Sequence, residues 1–151
     1  MSSIVKQMIT KKLQKLAWIY VTKNFIVTKT SDLKSLEPDP RFRFVRITAD
    51  NHFRVREFRD EGRVTEYQEK LGRNEVGYFA ERDGTAVGSI WATVNNGKAP
   101  IVARTYMKLM PKEALIHDIV TGETFRGLGV GPFMVAGMSS ALLGEHGVSK
   151  I

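Results

Sequence analysis

The sequence predicts a mixed α/β chain of the α+β kind, a largely antiparallel sheet with helices covering it. Three observations carry that prediction. The stretch "EVGYFAERDGTAVGSIWATVNN" is two strand-like halves meeting at Arg82-Asp83-Gly84, and Asp-Gly is the strongest short hairpin signal. Two short helical segments precede it, so the sheet gains cover early in the chain. The chain then closes with a strand, a glycine-rich turn, a helix and the start of another strand, which is a parallel crossover.

The elements follow in order. Residues 1–34 begin as a helix with Val5, Ile9, Leu13, Leu16 and Tyr20 at helical spacing, and "NFIVTKTSDL" is β-branched enough for a short strand. "SLEPDP" is a linker, since its two prolines break either regular structure. These parts form a basic extension over residues 1–40, and residues 41–151 form the domain. "RFRFVRIT" predicts a strand, with Phe42, Phe44, Val45 and Ile47 among arginines. Asp50 or Asn51 is placed to cap a helix whose apolar face begins with Phe53, Val55 and Phe58. "RVTEYQEKLGRN" predicts a second short helix closed by Gly72. After the hairpin, "GKAPIVARTYMKLMPK" shows little periodicity. "ALIHDIVT" predicts a strand whose apolar run suggests a central position. "GPFMVAGMSSALLGEHG" is a helix with Val135, Met138 and Leu142 on one face and Gly144 or Gly147 near its stop. "VSKI" begins a further strand.

Composition narrows the function classes. With no cysteine among 151 residues, disulfides and thiolate chemistry are excluded, and His52, His117 and His146 show no metal-ligand spacing. No apolar run approaches the roughly 20 residues of a membrane span, and the first residues lack a secretory pattern, so the expectation is a cytoplasmic protein without a metal. The net charge is +7, from 23 basic and 16 acidic residues. Seven lysines against Asp32 alone give residues 1–34 a balance of +6, and the other 117 residues hold 16 basic and 15 acidic groups, +1. Such an arm can touch anionic lipid or nucleic acid, although a solvated lysine face explains it more simply. Aromatic residues are not interleaved with the lysines as base stacking requires, so no specific nucleic-acid partner is expected.

The chemistry concentrates in "TFRGLGVGPFMVAG". A helix start offers backbone N–H groups and the positive end of the peptide dipoles. Gly127, Gly129 and Gly131 let an anion approach without a Cβ in the way, Arg126 adds a charge, and Pro132 needs no donor in the first turn. The nucleotide P-loop is excluded because no Lys-Ser or Lys-Thr follows Gly131. The dinucleotide G-x-G-x-x-G is excluded by Pro132 and Met134.

The pattern that fits is R-x-x-G-x-G, at Arg126, Gly129 and Gly131. On that motif and on the element order, residues 41–151 resemble the GCN5-related N-acetyltransferase (GNAT) superfamily, apparently stopping after the fifth strand begins. The five residues before Arg126 keep only the aromatic, Phe125, of the usual V-x-P-[ED]-[YFW]. The resemblance implies that Arg126 and the loop amides of Gly127, Leu128, Gly129, Val130 and Gly131 hold the pyrophosphate of acetyl-CoA. It also implies that the backbone of Ile119, Val120 and Thr121 pairs with the pantetheine arm as a strand would.

The implied reaction is direct attack of an amine on the acyl thioester. The acceptor is an amine-bearing small molecule, or a protein N-terminus or lysine. A base must take the amine proton, and Asp118 and Glu81 are the first candidates, then His117 and Glu123. Alternation puts His117 and Ile119 on one sheet face and Asp118 and Val120 on the other. A free N–H near Ile119 is the candidate donor to the thioester oxygen. The alternative is a non-catalytic binding or assembly module that keeps the scaffold without turnover. Because the fourth strand of such a fold needs cover, a homodimer or exchanged elements are expected.

Overall fold

The computed structural model describes residues 39–73, 75–103 and 107–151. The basic arm, its apolar stripe, the strand expected within residues 24–33 and most of the linker lie outside the described residues.

The fold is α+β, as expected. Six strands are described: β1 (Arg43–Arg46), β2 (Glu75–Arg82), β3 (Thr85–Val94), β4 (Ile101–Val102), β5 (Lys108–Leu109) and β6 (Ala114–Thr121). The helices are α1 (Arg63–Leu71) and α2 (Val130–Gly144), with short 3-10 turns at His52–Glu57 and Glu123–Phe125. The main sheet runs β1-β2-β3-β6 with every pairing antiparallel. The β2–β3 turn is Asp83 (φ 51°) and Gly84 (φ 80°), the two positive dihedrals that match the twist of the flanking strands.

The sheet separates two apolar layers. On one face α2 lays Met134, Met138 and Leu142 over Phe42, Tyr78, Ile90, Ala92 and Val94. On the other, α1 and the first 3-10 turn bring Tyr67 and Val55 onto Ile47, Phe79 and Trp91. β3, the strand both layers share, is buried at every position after Thr85. Gly77 exists for this packing: a Cβ there would stand 2.7 Å from the Trp91 ring.

Several expectations are corrected. The segment after Asn51 forms a six-residue 3-10 turn rather than an α-helix, and Asn51 does not cap it. The Asn51 side chain instead accepts the Thr48 N–H at 2.8 Å and donates to the Arg46 carbonyl at 2.9 Å, closing the turn after β1. The segment 97–112 contributes the two-residue pair β4–β5. β6 is the last strand of its sheet among the described residues, not a central one. Only Ala114 of β6 is buried and Ile119 is exposed, so an apolar run alone does not mark a central strand. Beyond it the chain end makes one parallel bridge, Glu113 with Lys150, with the Ala114 N–H on the Lys150 carbonyl at 2.9 Å.

Candidate functional site

The site is built where β6 gives way to α2. Gly122 donates its N–H to the Val87 carbonyl at 2.8 Å, where β3 carries one extra residue between Ala86 and Gly88. A 3-10 turn follows, then Arg126, then Gly127 at φ +77° and Gly129 at φ +86°. These dihedrals are ones an L side chain rarely adopts, so glycine is required by the path itself. Gly131 differs. Its φ is ordinary, and an added Cβ would meet nothing within 4 Å. The fold therefore does not need a glycine there, and its absent side chain leaves open space in front of the helix start.

That helix start is bare. Gly129 is the N-cap of the 15-residue α2, no side chain caps it, and its first turn has no acid. Its leading N–H groups point outward with the positive dipole end, a natural anion seat. The Arg126 guanidinium stands beside it, well exposed and 3.8 Å from Glu123. A second arginine, which the motif did not indicate, reaches the same loop at Leu128. Arg41 is gripped by Asp39 through bonds of 2.6–3.1 Å and lies 3.5 Å from the Leu128 carbonyl. The Arg41 hydrogen bond holds the Asp39 carboxyl down at about 2. A cradle with open glycines, free amides and flanking guanidinium groups suits a diphosphate.

The preceding strand does not follow simple alternation. Ser89 pairs with Val120 and Trp91 with His117, so two residues of β6, Asp118 and Ile119, stand against Ile90 alone. This is a β-bulge, and Asp118 takes a left-handed φ of +49° within it. The expectation that His117 and Asp118 face opposite ways is thereby overturned. Both reach groups of the α1 layer. His117 Nε2 is 3.0 Å from Thr93 Oγ1 and 3.8 Å from Glu75, while Asp118 meets Lys70 of α1 and lies 3.8 Å from Arg59. Ile119 is exposed, and Val120 and Thr121 line an open groove of about 660 Å³. The groove's other wall is Arg56 to Asp60, and Glu123 to Arg126 close its end.

Glu81 is placed elsewhere. It sits near the end of β2, buried, with its carboxylate on Arg54, and it does not line the groove. Arg54 also holds Glu57 at 2.9 Å. Burial alone would push the Glu57 carboxyl up; the bonds from Arg54 and the Ala86 amide outweigh it and hold the group below its ordinary range. Among the described residues no cluster of His, Asp or Glu could hold a metal ion, and no helix is long and apolar enough to cross a membrane.

The family model for the acetyltransferase (GNAT) family matches residues 40–151. The chain belongs to that family. Among solved structures, this GNAT chain is similar to the ribosomal-protein-alanine N-acetyltransferase from Brucella melitensis biovar Abortus 2308, at 12% identity over 66% of this chain and 70% of that one, TM-score 0.50. It is also similar to AAC(6')-Iy in complex with a CoA-containing bisubstrate analogue, at 16% identity over 70% and 74%, TM-score 0.49. A third is the aminoglycoside acetyltransferase meta-AAC0020 from an uncultured soil metagenomic sample, in complex with sisomicin, at 12% identity over 72% and 74%, TM-score 0.49. At 12% identity the likeness to the Brucella melitensis structure is one of fold. A search of curated proteins finds no match.

Within the GNAT fold, Arg126 to Gly131 and Ile119 to Thr121 are thus neighbours along one path, from cradle to groove. Asp118 stands at the head of that path and Glu81 apart from it. Sequence patterns gave no sign of the bulge or of Lys70, Arg59 and Arg41, because each depends on a partner distant in the chain. The spacing of Asp39 and Arg41 around Pro40 is a local signal that could have pointed to their clasp.

Proposed function

We propose that this chain is an N-acetyltransferase that moves the acetyl group of acetyl-CoA to an amine by direct attack. The observation carrying the proposal is the uncapped α2 start, with Gly129 in the left-handed conformation, Gly131 free of any structural demand and Arg126 alongside. In this reading the amides of Gly127 to Gly131 and the Arg126 guanidinium bind the pyrophosphate. The backbone of Ile119, Val120 and Thr121 pairs with the pantetheine arm. Acetyl-CoA supplies the activated acyl group; the chain orients it and manages the amine proton.

For that proton, Asp118 and Glu81 are both committed to ion pairs, with Lys70 and Arg54. We assign the task to His117, whose Nε2 lies 3.0 Å from Thr93 Oγ1 and 3.8 Å from Glu75, a carboxylate that would favour the protonated ring, acting directly or through a water. The acceptor is a small-molecule amine or a protein amine, and the acceptors named for the similar structures, an aminoglycoside and ribosomal-protein alanine, set the first assay panel. A homodimer or element exchange that covers β6 belongs to the same reading; sedimentation as a compact monomer would remove it.

Titration calorimetry with acetyl-CoA tests the first step, and thiol release with an amine panel tests the second. Arg126→Glu combined with Gly129→Val, with folding verified by circular dichroism, is expected to weaken binding at least tenfold or so, the scale of losing charge-assisted bonds. Unchanged affinity would remove the reading. Binding without thiol release would assign a non-catalytic module instead. His117→Gln is expected to lower kcat by about 10²–10⁴ with acetyl-CoA binding intact.

A further inference from the structure

We propose that Lys70, helped by Arg59, is a positioning residue: by holding the Asp118 carboxylate it locks the bulge that aims residues 119–121 at the acyl-pantetheine arm. The proposal rests on the acetyl-CoA reading above.

Lys70 is the most unusual side chain of the α1 layer. Its exposure is 0%, and lysines are almost never fully buried unless paired. Its ammonium is held on every side the described residues provide. It bonds Asp118 Oδ2, stands 3.3 Å from Glu66 Oε1, and lies 5.3 Å and 5.0 Å from the centroids of the Tyr67 and Trp91 rings. Both rings are themselves fixed, Tyr67 by a hydroxyl contact with Ser89 and Trp91 by lying flat over Gly77. The cation therefore has one well-defined location.

That location coincides with the irregular point of β6. Asp118 has a positive φ that L residues other than asparagine and aspartate seldom take. Such a conformation persists only where its surroundings over-determine it. Two cations from different segments converge on this one carboxylate: Lys70 on one oxygen and Arg59 Nη1 at 3.8 Å from the other. Arg59 Nη1 is buried without a hydrogen-bond acceptor among the described residues, and its ion pair with Asp118 compensates. The clamp is thus placed on the residue whose dihedral decides where Ile119 and Val120 go, and those residues lead into the groove. A buried ion pair is seldom a strong source of stability, and fixing one conformation is its better-attested use.

The test separates positioning from simple stability by using two ligands. Acetyl-CoA reaches both cradle and strand, whereas ADP presents the adenosine diphosphate part without the pantetheine arm. In the full chain, Lys70→Met is expected to weaken acetyl-CoA binding about tenfold and leave ADP within about twofold, the scale of a released strained dihedral. Adding Asp118→Gly to that variant is expected to restore acetyl-CoA affinity to within about threefold, because glycine takes the positive φ freely and strands no carboxylate. If Lys70→Met does not fold, Asp118→Gly against Asp118→Val decides. Glycine keeps the bulge, and valine, β-branched, resists it, so only valine is expected to lose acetyl-CoA affinity, again by about tenfold.

Equal affinity of the glycine and valine variants would overturn the proposal, as would parallel loss of both ligands in a folded Lys70→Met. An Asp118→Gly protein that binds acetyl-CoA normally but has no turnover would leave the clamp standing and move the proton task from His117 to Asp118. Failure of the unaltered chain to bind acetyl-CoA, by contrast, strikes at the parent reading rather than at the clamp.

Discussion

At the scale of single residues, identity says less than company. Asp118, within β6, and Glu81, near the end of β2, are both acids, yet each is claimed by a cation from another segment. His146 shows the same rule. Burial, then the Arg46 charge beside it, pushes its imidazole below the ordinary value of 6.5, and Arg46 Nη1 lies 3.4 Å from its Nε2. The sign follows directly: the unfolded chain binds the proton more readily, so stability is highest above pH 6.5 and falls as pH drops toward the folded value. Denaturant melts across pH 7.5 to 5, compared with His146→Gln, are expected to show this loss in the native protein and a shallower one in the variant.

At the scale of elements, small residues set how closely strands approach. A Cβ on Gly88 would stand 2.7 Å from the Val120 carbonyl, backbone that cannot swing away, and 3.2 Å from the Met134 methyl. Gly88→Ala is therefore expected to destabilise by about 1–3 kcal/mol, the usual cost of overpacking. Because the strain falls on the end of β6 that borders the groove, acetyl-CoA affinity should drop with it; calorimetry on the folded variant reads this. The hairpin is the simpler case. Gly84→Ala at φ +80° is expected to cost about 1 kcal/mol in denaturant melts and leave ligand binding untouched.

At the scale of the whole molecule, the two apolar layers share β3, and the site straddles them. The cradle belongs to the α2 layer through Val130 and Met134, and the clamp belongs to the α1 layer through Tyr67 and Trp91. A ligand reaching from cradle to groove would tie these layers together. Acetyl-CoA at a hundredfold excess over its Kd is expected to stabilise the chain by about 2.7 kcal/mol, seen as a rise in Tm. At the same concentration the Arg126→Glu and Gly129→Val variant should rise by about half as much, about 1.4 kcal/mol for a tenfold weaker Kd, or less.

The sequence by itself determined the local events. The Asp83-Gly84 turn, the Gly72 helix stop and the glycine cradle are all legible because a dihedral or a missing side chain is a property of a few adjacent residues. The order of these events carried the fold class and the family. What only the tertiary structure decided is everything that needs a partner from far along the chain. β6 carries an extra residue because β3 offers one opposite two; Asp118 turns to the α1 face because Lys70 of α1 and Arg59 before it wait there. Arg41 meets the Leu128 carbonyl across 87 positions of sequence. Periodicity assumes an unbroken strand, and a bulge breaks it without altering any local propensity, so the facing of His117 and Asp118 could be settled only by the assembled sheet.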